Sequence, residues 1–198
     1  MKPRTVILAA LVAGALGLVA GLLSSGGDAL WRTRAGQWLL QSGFDATAPR
    51  PDRVPVAEID RPVPAFRLRD LDGAMTDVPA RWAGRPLLIN VWASWCGPCL
   101  KEMPELQRFS AAQRTDGVQV VGIALDDPQA VRAFLQRVPV RYPQLIDAPG
   151  AADAGVRLGN LRGVLPYSVL IDAHGTLRAR RVGPFAPGEL DAFVASAE

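Results

Sequence analysis

The sequence has few of the residues that build disulfide frameworks and metal sites. Its 198 residues include two cysteines, Cys96 and Cys99, and one histidine, His174. Two cysteines exclude the multi-bridge framework of a small secreted domain. A zinc site needs four ligands, and besides carboxylates the chain offers only these three side chains.

Lysine is also scarce, since Lys2 and Lys101 are the only two and nearly all the positive charge is arginine. The formal net charge is only +3, and the arginines form no concentrated basic run. We therefore expect no nucleic acid among the partners. The length suits one ordinary domain plus an appendage.

The two cysteines lie in the stretch Trp95–Cys99, between an apolar run and a helical pattern. This predicts Cys96 at the first turn of a helix, where unpaired N–H groups and the helix dipole favour a thiolate and lower its pKa. Cys99 follows one turn later, close enough to bond to Cys96. Pro98 suits a first turn, and Gly97 leaves room for a partner's backbone.

Redox chemistry is the favoured interpretation of this pair. One alternative is a structural disulfide, which would stabilise little because the closed loop is so short. The other is half of a zinc site.

The stretch Trp-Cys-Gly-Pro-Cys is the thioredoxin active-site motif, and the longer run Asn90–Leu106 resembles the membrane-anchored TlpA/ResA-like branch of the thioredoxin superfamily. This branch is close to the cytochrome c maturation thioredoxins. The resemblance covers about residues 60–198. It implies an α/β thioredoxin-like fold, with a central mixed β-sheet flanked by helices. It also implies a thiol:disulfide oxidoreductase that uses the redox-active disulfide Cys96–Cys99 and no further cofactor or metal.

The resemblance assigns roles to particular residues. Cys96 is the nucleophile, and Cys99 resolves the mixed disulfide. Pro166 is expected to be a cis proline opposite the cysteines, with Leu165 beside Cys96 and the substrate. The expected substrate-binding residues are Trp95, Gly97, Pro98 and Leu165.

The proton acceptor is the open question at this site. Asn90 stands where thioredoxins have a buried aspartate, and an amide does not titrate. Glu102 lies one helical turn after Cys99, and a glutamate at this offset recurs in the ResA-like branch. We expect Glu102 to exchange protons with the pair; the alternative is an ordinary solvated helix carboxylate.

The N-terminal segment predicts a membrane anchor at 1–24. Thr5–Leu23 is uncharged over 19 residues, and about 20 apolar residues span a bilayer. Lys2 and Arg4 precede it, which predicts a single-pass inner-membrane protein with its C-terminal domain in the periplasm. A cleaved signal sequence is the alternative and leads to the same compartment.

The other boundaries follow from composition. Residues 25–60 are expected to form a juxtamembrane segment and linker, and 61–198 the thioredoxin-like domain. Trp31–Leu40 could form an amphipathic helix at the membrane or pack weakly on the domain. Gly43–Pro64 is rich in proline and charge without a period, which is typical of an extended linker.

Within the domain, alternation and turn signals predict an N-terminal β-hairpin from Phe66–Leu71 and Ala74–Val78. Continuous apolar runs indicate strands buried on both faces. Asp126 and Asp127 are expected to cap a helix that begins at Pro128. The remaining predicted elements are the strands Pro86–Trp92, Val118–Leu125, Tyr142–Ile146, Tyr167–Asp172 and Thr176–Val182, and the helices Ala151–Leu158 and Pro187–Ala197.

Several functions compete with reduction of protein disulfides. The same motif serves disulfide oxidases and isomerases, and a copper-handling assembly protein could share the fold. A peroxidase of the peroxiredoxin type would need a Pro-x-x-x-Thr-x-x-Cys setting, which is missing.

His174 is predicted to be a plain turn residue, and Arg178, Arg180 and Arg181 are expected to reach water. The implied partners are protein thiols and disulfides and a membrane electron donor of the DsbD/CcdA type.

Overall fold

The computed structural model describes residues 53–195, together with 36, 37, 39, 42, 43 and 51. The chain divides into two compact units, residues 1–46 and 47–198, and the second contains both cysteines. The predicted anchor at 1–24 lies outside the described residues, as does most of Trp31–Leu40. Among the described residues, no helix has both the length and the apolar character to cross a membrane.

The second unit is built from strands and helices that follow the predicted order. The strands are β1 Phe66–Asp70, β2 Met75–Val78, β3 Leu87–Trp92, β4 Gln119–Leu125, β5 Gln144–Asp147, β6 Tyr167–Ile171 and β7 Leu177–Val182. The α-helices are α1 Gly97–Ala112, α2 Pro128–Arg137, α3 Ala154–Arg157 and α4 Glu189–Ala195, and Ala80–Trp82 is a 3₁₀ helix.

All the strands join one mixed sheet in the order β2-β1-β5-β4-β3-β6-β7. β3, β4 and β5 run parallel to one another and are connected through α1 and α2. β6 runs antiparallel to both of its neighbours, β3 and β7. The predicted hairpin of β1 and β2 is present, and β1 also pairs with β5. This confirms the mixed sheet flanked by helices.

The central strand β3 is buried on both faces, as its apolar run predicts. Leu87, Ile89 and Val91 enter one core cluster, which also receives the 3₁₀ helix and α3. Leu88 and Trp92 enter the clusters beneath α1, α2 and α4. Asn90 shares this second face, because side chains alternate along a strand.

Two helix boundaries differ from the predictions. The helix predicted over Ala151–Leu158 is shorter, because the Asp153 carboxylate accepts a hydrogen bond from the N–H of Val156 and caps α3 at its start. The predicted closing helix begins at Glu189 instead of Pro187, and residues 196–198 lie outside the described part.

Part of the predicted linker pairs with the domain. The N–H of Ala57 donates to the carbonyl of Arg157 (2.7 Å), and the N–H of Asp60 donates to Leu177 in β7 (2.8 Å). Ala57 and Val63 are buried in the core. The domain boundaries remain predictions, but these contacts extend the packed chain several residues before Phe66.

Candidate active site

The two cysteines lie where the chain leaves β3 and enters α1. Cys96 is the N-cap of α1, and its Sγ accepts a hydrogen bond from the N–H of Cys99 at 3.3 Å. The two residues form a disulfide, with their Cα atoms 5.3 Å apart. Cys96 keeps 5% of its surface exposed, whereas Cys99 is fully buried. An incoming sulfur therefore reaches Cys96 first, which agrees with its predicted role as nucleophile.

The surface around Cys96 is open and partly aromatic. Trp95 is 69% exposed, and Gly97 and Pro98 are exposed as well. A Cβ added at Gly97 would meet nothing within 4 Å, which leaves the space that a partner's backbone would need. The assignment of Trp95, Gly97 and Pro98 to substrate binding stays a prediction.

The loop before Cys96 is fixed by a carboxylate from the neighbouring strand end. Asp126, directly after β4, accepts hydrogen bonds through Oδ2 from the N–H of Ser94 (2.9 Å) and from its hydroxyl (2.6 Å). Partial burial raises the pKa of Asp126, but hydrogen bonds from Ser94 and Asp127 outweigh it and hold the pKa below its usual range. Asp127 alone caps α2, through the N–H groups of Gln129 and Ala130. The expectation that Asp126 also caps this helix was wrong.

A polar cluster lies buried between β3, β6 and α1, the helix that carries the cysteines. Nδ2 of Asn90 donates to Oε1 of Glu102 at 2.8 Å and to the hydroxyl of Ser168 at 3.0 Å. Asn90 and Ser168 are paired across β3 and β6. The backbone N–H of Phe185 donates to Oε2 of Glu102 at 3.0 Å. All three polar side chains are fully buried.

Glu102 is therefore not the solvated carboxylate of the alternative interpretation. Burial is the main influence on its pKa and raises it from 4.5 to about 7, against the hydrogen bonds from Phe185 and Asn90 and the charge of Arg181. A carboxyl group with this pKa is present in both protonation states near neutral pH. Glu102 lies three residues after Cys99, on the same face of α1.

The loop before β6 completes the site. Pro166 follows a cis peptide bond and is buried, as the resemblance implies. Leu165 packs against the cluster that contains Cys96 and Cys99. The preceding turn is closed by the side chain of Asn160, which donates to the carbonyl of Val164 at 2.9 Å and accepts from its N–H at 3.1 Å.

The sequence reasoning missed Ser168 and Arg181. A serine in the otherwise apolar strand β6 was a signal, because it faces Asn90 across the sheet. Arg181 was expected to reach water, but it is buried. A register shift between β6 and β7 at Ile171 changes the alternation of side chains along β7. As a result, Ala179 and Arg181 lie on the face of the sheet that is covered by α1 and α4.

No second centre competes with the cysteines among the residues that the structure describes. No group of three or more His, Cys, Asp or Glu side chains there could hold a metal ion. His174 lies exposed in a turn, and its N–H donates to Asp172. The Cys96–Cys99 bridge supports reversible opening by thiol–disulfide exchange.

The fold and this site define the protein as a thioredoxin-like thiol:disulfide oxidoreductase. A model of the Redoxin family matches residues 58–195, which is more than half of the chain. The chain therefore belongs to the Redoxin family, and the resemblance predicted from the sequence is confirmed.

Two similar proteins have thiol–disulfide chemistry in their names, and a solved structure is related as well. The thiol:disulfide interchange protein DsbE of Allochromatium vinosum is 38% identical over 137 residues, which cover 68% of this chain and 72% of that protein. The thiol-disulfide oxidoreductase ResA of Bacillus cereus is 28% identical over 138 residues, covering 69% and 77%. A solved thioredoxin-related protein from Neisseria meningitidis serogroup B has a TM-score of 0.58 and 32% identity, and the match covers 66% of this chain and 97% of that one.

Proposed function

We propose that this oxidoreductase is a reductant of disulfides in extracytoplasmic proteins, such as the haem-site cysteines of apocytochrome c. It acts in the periplasm and is held at the inner membrane by residues 1–24. The exchange chemistry in the names of DsbE and ResA supports the reaction type. The observation that carries the mechanism is the buried Glu102, three residues after Cys99, with its pKa raised to about 7.

The first step forms a mixed disulfide. The Cys96 thiolate attacks one sulfur of the substrate disulfide, the substrate S–S bond breaks, and the departing sulfur leaves as a thiolate. The exposed edge of Cys96 and the open surface at Gly97 allow this approach. Trp95, Pro98 and Leu165 provide apolar surface around the attacking sulfur.

The second step releases the reduced substrate. The Cys99 thiol gives its proton to ionised Glu102, and the resulting thiolate attacks Sγ of Cys96. The Cys96–Cys99 bond forms, the mixed disulfide breaks, and the second substrate sulfur leaves. Two electrons pass to the substrate, which ends as a dithiol, and the enzyme ends as a disulfide. Glu102 is the proton acceptor in place of the buried aspartate of thioredoxins, because Asn90 stands at that position and cannot titrate.

The cycle requires a new supply of electrons. A dithiol in a membrane protein of the DsbD/CcdA type reduces the Cys96–Cys99 bridge by the same exchange, and Cys99 then leaves and regains a proton from Glu102. No other cofactor enters this scheme, because exchange moves electrons with the sulfur–sulfur bonds.

Substrate trapping tests the proposal. In cells that express Cys99→Ser, Cys96 can still attack, but nothing resolves the adduct. We expect mixed disulfides with periplasmic proteins that have oxidised thiols, visible on non-reducing gels and lost on reduction. The matched control is Cys96→Ser, which keeps one cysteine but removes the one with an accessible edge and should trap far less. Equal trapping by both variants, or none by either, would contradict the mechanism.

A further inference from the structure

The segment between β7 and α4, Gly183–Gly188, packs against the side of α1 that carries Glu102. The N–H of Phe185 donates to Glu102 at 3.0 Å, and the N–H of Gly188 donates to Glu105 at 2.9 Å. Glu102 and Glu105 lie one turn apart on α1. The helix that carries the cysteines thus contacts this segment at two points, one of which is a hydrogen bond to the proposed proton acceptor.

Arg181 and Glu189 hold this segment from its two ends. Nη2 of Arg181 donates to Oε2 of Glu189 at 2.7 Å and to the carbonyl of Pro184 at 3.1 Å. The same Glu189 oxygen accepts the N–H of Ala186 at 3.0 Å. The guanidinium carbon of Arg181 lies 4.6 Å from the centre of the Phe185 ring. These contacts fix the residue whose N–H reaches Glu102.

Few charged or titratable groups influence the ionisation of Glu102. Arg181 on β7 contributes a positive charge that lowers the pKa of Glu102. Tyr142, which precedes β5, also faces it; burial and the charge of Glu102 raise the pKa of the Tyr142 hydroxyl, so it stays neutral. Asn90 and Ser168 are neutral, and Cys99 titrates only when it is reduced. Glu189 is paired with Arg181 and offsets part of its charge.

We propose that Arg181, held by Glu189, is a positioning residue for Glu102. It increases the fraction of Glu102 that is ionised, in addition to the larger effects of burial and of the hydrogen bonds from Phe185 and Asn90, and thereby changes the ease with which Cys99 loses or regains its proton. This inference rests on the proton-acceptor role proposed for Glu102. Arg181 acts through Glu102 and the Phe185 N–H and touches no reacting sulfur in this scheme.

Two substitutions should move Glu102 in opposite directions. Arg181→Met removes the positive charge, so ionised Glu102 loses a stabilising partner and its pKa rises above about 7. Glu189→Gln removes the opposing negative charge, so Arg181 acts on Glu102 more strongly and the pKa falls. Because one oxygen of Glu189 accepts both hydrogen bonds, a glutamine oxygen in its place retains them.

The measurement is the titration of Glu102 in the oxidised, full-length chain in mild detergent, where Cys96 and Cys99 do not titrate. Carbon-13 labelled glutamate gives side-chain carboxyl signals from only five residues, and the signal absent from Glu102→Gln identifies Glu102. Arg181→Lys keeps the charge and should leave the midpoint nearer to that of the unaltered protein than Arg181→Met does. The charge control is Arg178→Gln on the same strand, which should leave the Glu102 midpoint unchanged.

Opposite shifts in Arg181→Met and Glu189→Gln support the proposal, since a purely structural role would leave Glu189→Gln, which keeps both hydrogen bonds, unshifted. Shifts of the same sign, or no shift in Glu189→Gln, overturn it. If Arg181→Met fails to fold, the direction of the shift in Glu189→Gln still decides the outcome. Arg181→Lys, which keeps the charge, then serves as the variant at position 181.

The reduction kinetics of the same variants separate this inference from the proposed function. If the Glu102 midpoint moves as expected but the pH midpoint of disulfide reduction does not follow, the link to Cys99 is wrong and the role of Glu102 fails with it. If Glu102→Gln abolishes the pH response but the Arg181 and Glu189 variants leave the Glu102 midpoint in place, only the inference about Arg181 fails.

Discussion

Nδ2 of Asn90 donates a hydrogen bond of 2.8 Å to Oε1 of Glu102 in the buried layer between β3 and α1. The ionisable group at this site therefore belongs to the helix that carries the cysteines, and the central strand supplies a neutral amide. The side chain of Asn90 can suit both protonation states of Glu102. Its nitrogen donates to the carboxylate, and a half-turn of the amide would let its oxygen accept from the carboxylic acid.

Glu102→Gln should remove a pH response from disulfide reduction. In the unaltered protein, the rate with dithiothreitol, corrected for the thiolate fraction of the reagent, should fall as pH rises through about 7, because ionised Glu102 has no proton for departing Cys99. The variant should lose this inflection and react roughly 100-fold more slowly at pH 6. Stopped-flow tryptophan fluorescence, with Trp95 next to the site, follows the reaction.

The matched control for that experiment is Glu58→Gln, which makes the same chemical change at an exposed position before β1. It should keep the inflection. An inflection near neutral pH that survives in Glu102→Gln would show that another group supplies the proton.

Glu102 should also make the oxidised protein less stable at higher pH. Its folded pKa of about 7 exceeds the ordinary 4.5, so its contribution to stability is fully present below pH 4.5 and is lost as pH rises through 7. At about 1.4 kcal/mol per pKa unit, the loss is of the order of 3 kcal/mol. Urea unfolding of the oxidised chain at pH 5 and pH 8 measures it.

The comparison that isolates this effect is again Glu102→Gln. Its free energy of unfolding should decline less between pH 5 and pH 8 than that of the unaltered protein, because the amide carries no charge to desolvate. Parallel declines in the two proteins would mean that the folded pKa of Glu102 is not raised above its ordinary value, and would remove the basis for its role as proton acceptor.

The contact between Asp126 and Ser94 should be energetically coupled. Asp126→Ala leaves the N–H and hydroxyl of Ser94 without their acceptor and should cost about 1–3 kcal/mol of unfolding free energy. Ser94→Ala should then lower the unfolding free energy less in the Asp126→Ala background than in the unaltered protein, because the hydrogen bond from the Ser94 hydroxyl is already lost. A double-mutant cycle with coupling of about 0.5 kcal/mol or more would confirm the interaction.

Asp127→Ala provides the control for this cycle. It removes the cap of α2, and so loses about 1 kcal/mol, but Asp127 makes no side-chain hydrogen bond to Ser94. Its effect should add to that of Ser94→Ala. Additive effects for Asp126 as well would mean that the contact does not hold the loop before Cys96.

Local patterns predicted the part of the site that is local in sequence. The apolar run of β3, the cap at Cys96 and the position of Glu102 one turn after Cys99 all follow from residue type and spacing. The burial of Glu102 does not follow from spacing, because it depends on Phe185, which contacts it across 83 positions of sequence.

Arg181 shows the same limit more sharply. Alternation along β7 predicts which side chains face water, but a register shift against β6 changes the alternation within the strand. Whether a charged residue is buried then depends on a partner elsewhere, here Glu189 in α4. Asp126 likewise looked like a helix cap, and its contact with Ser94 becomes visible only when β3 and β4 lie side by side.

The direction of electron flow is the central claim, and the reduction potential of the Cys96–Cys99 pair tests it most directly. Equilibration of the full-length chain with redox buffers, read by tryptophan fluorescence, gives the value. A reductant requires a potential near that of thioredoxin, about −270 mV. A potential near that of DsbA, about −120 mV, would make the protein a donor of disulfides and contradict the proposed function.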